Sequence, residues 1–201
     1  MLRKLFRKPE TRPLPSYPRI EVDEIPAAST LIFYGFPGNK LTQLVGNRVY
    51  GHPYSPPAFH AAFYLTDGLF LNVGKFRRLH QIEREFKSTR RIDVISYPDI
   101  SAKTRRALCK EASLDTSAPR FGLMFPDYAF TDYLRFLVKA FRPSKRDFCS
   151  ENVVETFEKA DIRVSDLKPV QTAPWDLLEF AEAHPETCEI RTLWVGGDFQ
   201  S

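Results

Sequence analysis

Apolar and polar positions change period several times along this chain, and each period predicts an element. Residues 30–34, TLIFY, are a short apolar run ended by the loop sequence GFPGNK, which predicts a buried strand. Residues 59–65, FHAAFYL, alternate: Phe59, Ala61, Phe63 and Leu65 fall on one face, His60, Ala62 and Tyr64 on the other. Thr66-Asp67-Gly68 predicts a hairpin turn with Leu69 to Val73 returning as a second strand, and RIDVIS at 91–96 predicts a third, stopped by Tyr97-Pro98. Helical spacing then takes over. Ser101 is placed to cap a helix running to about Ser113. Phe130, Leu134, Leu137, Val138 and Phe141 line one face of an amphipathic helix closed by Pro143. Another helix begins near Cys149 and turns Val153, Val154, Phe157 and Ala160 inward, and Pro174 suits the first turn of a helix through about Ala183. Glu189 to Val195 predicts a last strand. Hairpin strands with separate helices and no regular βαβ alternation predict an α+β fold.

Composition narrows this picture. A chain of 201 residues with 43% hydrophobic and 27% charged residues is expected to form one globular domain. Residues 1–26 hold five prolines and no sustained periodicity, and predict an extended basic arm ahead of a domain at 27–201. Residues 41–57 predict a long loop before the alternating strand. The net charge is +4, and six Arg or Lys against one acid lie in residues 1–19. Such an arm can touch an anionic surface, but a solvated leader or a strap for a protein partner is the simpler expectation, and nucleic acid is not expected as a partner. No apolar run approaches 18 residues, so no transmembrane helix is expected. The N-terminus lacks the apolar stretch of a secretory signal, which predicts a cytoplasmic or virion-associated location. Three cysteines, Cys109, Cys149 and Cys188, cannot all pair within one chain and fit no zinc spacing; free thiols are expected, with no metal and no cofactor.

Among these thiols Cys149 stands apart. It opens a helix behind Lys145 and Arg146, where free N–H groups and the positive end of the helix dipole favour thiolate. The same N–H groups can receive an oxyanion. Read alone, it is more often a small buried apolar residue, as most free cysteines are. Cys109, mid-helix, and Cys188, in a loop, read as structural. A thiol nucleophile needs a base. His52 and His184 neighbour prolines and His80 lies among Arg77, Arg78, Glu83 and Arg84, so all three read as surface imidazoles; His60 sits within an apolar strand and must find a polar partner. The hairpin supplies one in one of two registers. A three-residue turn with Gly68 left-handed pairs Leu65 with Leu69, sets Ala62 opposite Asn72, and puts Asn72 diagonal to His60 on the same face. A two-residue Asp67-Gly68 turn pairs Phe63 with Asn72 and puts the amide on the other face. In the first register the Asn72 carbonyl can fix the His60 tautomer, the logic of a Cys-His-Asn trio.

The stretch HAAFYLTDGLFLNVG followed far downstream by FCSENVVETF resembles the circularly permuted papain-like cysteine enzymes: the permuted branch of the NlpC/P60 superfamily, with its YiiX-like hydrolases and lecithin retinol acyltransferase relatives. The resemblance spans about residues 29–183. It rests on His60, on a polar residue twelve positions later at Asn72, and on Cys149-Ser150-Glu151 at a helix start. Asn152 departs from an often apolar place, and Asn72 from members with a second histidine. FPDYAFTDYL is similar to a Tyr-containing segment of bacterial members and makes Tyr128 a candidate for supporting the oxyanion or the substrate; Thr172-Ala173-Pro174-Trp175-Asp176 resembles their Thr-x-Pro-x-Asp. The resemblance implies a papain-like antiparallel sheet packed against helices, and Cys149, His60 and Asn72 as catalytic residues of a hydrolase acting on amide bonds, with peptidoglycan peptides as a substrate class. Two alternatives stay open: lipid thioesterase or acyltransferase chemistry with the same trio, and a non-enzymatic assembly or virion component on the same scaffold.

Overall fold

Six extended segments pair side by side, each antiparallel to its neighbour. The computed structural model describes residues 12–35, 54–56, 58–73, 77–87, 89–114, 149–169 and 172–195. The strands are β1 (Ser29–Tyr34), β2 (Ala58–Thr66), β3 (Leu69–Val73), β4 (Arg77–Gln81), β5 (Arg91–Ser96) and β6 (Glu189–Val195), in the spatial order β4-β3-β2-β1-β5-β6. The helices are α1 (Ala102–Leu114), α2 (Cys149–Glu158) and α3 (Pro174–Ala183). The α+β expectation therefore holds, as do the strands near 30–34, 59–65, 69–73, 91–96 and 189–195.

Both faces of the sheet are covered, which is why β1 and β5 are buried at every position instead of alternating. On one face Ile32, Tyr34, Ala61, Phe63, Leu65, Leu71 and Ile95 pack under the helices, against Leu108, Val153, Val154, Phe157, Leu177 and Leu178. On the other, Leu31, Phe33, Ala62, Tyr64, Phe70, Ile92 and Val94 are closed over by Ile20, Ile25 and Ile82. Ile20 and Ile25 come from the Pro-rich N-terminal stretch. Its backbone is bonded to β6 through Ile20 N–H to Thr192 O (3.1 Å) and Thr192 N–H to Pro18 O (2.8 Å). Residues 1–11 of the predicted arm lie outside the described residues, as do the predicted helix at 130–141 and most of the predicted loop at 41–57.

Local signals account for the helix starts. Ser101 Oγ accepts the Thr104 N–H (3.1 Å), as its capping role predicts. In α3, Pro174 occupies the first turn and the Asp176 carboxylate accepts the Ala173 N–H (2.7 Å). Ala160, expected on the helix of Cys149, lies in the turn just beyond α2 and still packs on its core.

Three expectations need correction. The hairpin turn is the two-residue Asp67-Gly68 form, with both residues left-handed (φ 51° and 75°), as a tight hairpin requires. Yet Phe63 pairs with Leu71 and Tyr64 with Phe70 because a bulge at Leu65 absorbs one residue before Thr66 meets Leu69. The register beyond the bulge is thus the one expected of the longer turn. A second bulge, where Phe33 pairs with His60 but Tyr34 with Ala58, moves Phe59 out of alternation and onto the Phe33 side of the sheet. Finally, His80, expected at the surface, is half-buried on an edge strand, β4, beside the exposed Arg78, and the strand is followed by a 3-10 helix at Ile82–Lys87.

Candidate functional site

The imidazole of His60 sits over the Phe33 ring, 5.3 Å between centroids, on the face away from the helices. Its Nε2 is buried with no hydrogen-bond partner among the described residues. Burial pushes the His60 pKa down to about 4, opposed by the charge of Glu85 and by the nearby Asn72 side chain. The ring is therefore neutral near pH 7.

Register explains why Asn72 is there. Continuing the Phe63–Leu71 pairing sets Ala62 opposite Asn72, so Asn72 stands diagonal to His60 on one face. The next strand adds a residue that sequence reasoning assigned to the surface. Phe70 pairs with His80, which puts His80 on the same face and diagonal to Asn72. Asn72 Nδ2 lies 3.4 Å from His80 Nδ1, and His80 Nδ1 lies 3.4 Å from Glu85 Oε1. Four side chains from β2, β3, β4 and the 3-10 helix thus form a polar line along an otherwise apolar face. The signal in the sequence was spacing: His80 is eight residues beyond Asn72, an even number across a second hairpin, but the surrounding charges hid the strand.

Cys149 opens α2 and is 7% exposed. Ser150 Oγ donates to Thr172 O (2.5 Å), tying the first turn of α2 to the start of α3, and Ser165 and Thr172 share a hydroxyl contact at 3.1 Å. The Thr-Ala-Pro-Trp-Asp motif is thus the capped entry of α3, and burial raises the Asp176 pKa to about 6. Both helices run from this end toward Tyr97, where Phe180 lines a cleft with Ala160 and Ile162. β5 also ends at Tyr97, and β2, two antiparallel steps away, runs the same way as β5. Phe157 packs on Phe63 with ring centroids 5.3 Å apart. Cys149 is then about 12 Å back from Phe157 along the helix, and His60 about 10 Å back from Phe63 along the strand. The two residues lie at the same end of the sheet. They do not share a face: α2 packs on the Phe63 side, and the His60 ring lies on the Phe33 side.

The other thiols and histidines are accounted for. Cys109 Sγ reaches Leu65 O (3.4 Å), Cys188 is buried, and burial raises the pKa of both. His184, expected to be solvated, is half-buried: its Nδ1 meets Phe180 O at 2.8 Å and its ring stacks on Phe180 at 4.2 Å. His52 and Tyr128 lie outside the described residues. Among the described residues no group of three or more His, Cys, Asp or Glu is arranged to hold a metal, and no helix is long and apolar enough to cross a membrane.

No protein-family model matches this chain, and no curated protein is similar to it.

Proposed function

We propose that the chain is a papain-like cysteine hydrolase that cleaves amide bonds, with Cys149 as nucleophile, His60 as base and then acid, and Asn72 orienting the imidazole. One observation carries this reading: a neutral imidazole close to Asn72, at the end of the sheet where a cysteine opens a helix. In the forward step His60 takes the thiol proton as the thiolate adds to the substrate carbonyl. The N–H groups at the start of α2 receive the oxyanion, as free donors at a helix start can. Collapse of the tetrahedral species breaks the C–N bond, and the imidazolium gives its proton to the leaving amine. Water, deprotonated by the same imidazole, then hydrolyses the thioester and restores the thiol. Peptidoglycan peptides are the substrate class the resemblance suggests.

Iodoacetamide labelling tests the trio before any substrate is known. Cys149 should alkylate faster than Cys109 or Cys188 near neutral pH, and His60→Ala should slow Cys149 to their rate. An unchanged Cys149 rate in His60→Ala removes the base. With cell-wall fragments as substrate, Cys149→Ala should leave no released peptide detectable by mass spectrometry.

A second reading, a non-enzymatic assembly component on the same scaffold, is favoured by one observation: α2 and the His60 ring lie on different faces of the sheet. It requires Cys149→Ser to leave biological activity intact and Cys149 to alkylate no faster than an ordinary exposed thiol.

A further inference from the structure

The end of the sheet away from Cys149 carries a cleft of about 550 Å³, within the range of small-molecule sites. Tyr97, Ile162 and Phe180 give it an apolar floor. The Tyr97 hydroxyl is bonded to Thr30 Oγ1 (2.9 Å), so its ring is what it offers, and Phe180 is held in its stack on His184. Three carboxylates stand on the rim: Asp99 in the turn after β5, Asp161 in the turn after α2, and Glu186 in the turn after α3. None of them forms an ion pair among the described residues. The cations close by are engaged elsewhere: Arg163 with Asp166, Lys159 with Glu111, and Arg105 with the carbonyls of Ala27, Tyr97 and Ile100.

The backbone adds to the same sign. α2 and α3 both end at this cleft, and a helix C-terminus carries partial negative charge. α1 begins there with the opposite sign, but Ser101 Oγ already accepts the Thr104 N–H of its first turn. Carboxylates at helix C-termini work against their own helices. Asp161 is also left-handed (φ 57°), in a position that helices ordinarily give to glycine. Two such departures at one cleft are what a ligand site, rather than a folding requirement, produces. The ligand is not a metal ion, because the carboxylates are spread around the rim, and among the described residues no group of three is arranged to hold one. An organic cation fits: its ammonium meets the rim while its apolar body covers Tyr97 and Phe180, whose ring faces themselves attract cations. We propose that this cleft binds a small organic amine, an ammonium group carried on an apolar or aromatic body. The site shares no residue with Cys149, His60 or Asn72 and does not depend on the hydrolase reading.

Titrating the 15N-labelled full-length protein with phenethylamine tests this. The amide signals of Ile162, His184 and Thr187 should shift and saturate. Phenethyl alcohol, with the same body and no charge, should bind several-fold more weakly, and phenylacetate more weakly still. Asp161→Gly and Glu186→Gln should each weaken phenethylamine by about two- to fivefold, the worth of an exposed charge pair, and leave phenethyl alcohol unchanged. Asp161→Gly should do so without lowering the midpoint of urea unfolding, since glycine adopts φ 57° without strain. No shift at the cleft, equal binding of the amine and the alcohol, or variants that weaken both probes alike would overturn the proposal. Should Asp161→Gly not fold, Glu186→Gln alone decides between these outcomes. Tighter binding of acetyl-Phe-Lys-amide than of phenethylamine overturns the small amine as occupant and makes the cleft a peptide site.

Discussion

Burial that holds an imidazole neutral also ties stability to pH, and for His60 the sign follows from the two states of the chain. Unfolded, the ring protonates near its ordinary value of about 6.5; folded, burial delays protonation until about 4. Between those values the unfolded chain binds the extra proton, so acid favours unfolding, and stability contributed by a neutral His60 is lost as pH falls from about 6.5 toward 4. Asp176 has the opposite sign, since its raised folded pKa of about 6 makes acid favour the folded state there, but that term is common to wild type and variant. Urea unfolding of wild type and His60→Gln across this span should therefore show the wild type losing more stability with acid. Parallel curves would mean the ring is solvated. His60 was legible from sequence because a lone polar residue in an apolar alternation calls for a partner. His80 was not, because Arg77, Arg78, Glu83 and Arg84 surround it with charge in the sequence, and only pairing with β3 shows its register.

The hairpin joining β2 to β3 decides whether Asn72 meets His60 at all, and its length alone would have given the wrong face. Asp67 and Gly68 are both left-handed, the shorter turn, and the Leu65 bulge returns the strands to the productive register. A turn residue signals φ preference to a reader of sequence; a bulge has no such signature, since it depends on which face each strand must bury. Gly68→Ala should destabilise the protein by about 1–2 kcal/mol, because a Cβ at φ 75° is strained and would lie 3.2 Å from Gln81 Oε1. The midpoint of urea unfolding measures this, and a loss well below about 0.5 kcal/mol would mean the turn relaxes to another type. The helices were legible to within a residue or two where caps mark them, at Ser101 and Pro174, because capping chemistry is local.

At the scale of the molecule, one polar cluster under the helices had no sequence signal. Arg91 and Asp93 alternate with Ile92 and Val94 in a strand that reads as half-solvated, yet all four are buried because both faces of the sheet are covered. Arg91 Nε donates to Asp93 Oδ1 (2.7 Å), Arg91 Nη2 to Thr192 Oγ1 (3.1 Å), and Thr192 Oγ1 to Asp93 Oδ1 (2.8 Å), so the cluster joins β5 to β6 where Asp93 pairs with Thr192. Burial raises the Asp93 pKa, and the Arg91 charge works against that rise. The pair need not stabilise the fold relative to apolar residues of similar size, since desolvating both charges offsets their attraction, but removing one partner strands the other. Arg91→Met should therefore destabilise the protein by about 3–5 kcal/mol, whereas Arg91→Met with Asp93→Leu should recover most of that loss. Chemical unfolding of the two single variants and the double variant closes the cycle. If Arg91→Met alone costs less than about 1 kcal/mol, Asp93 has found another donor or has taken up a proton in the folded state; repeating the measurement at higher pH separates these, because only a proton-dependent rescue weakens as the carboxyl is forced to ionise.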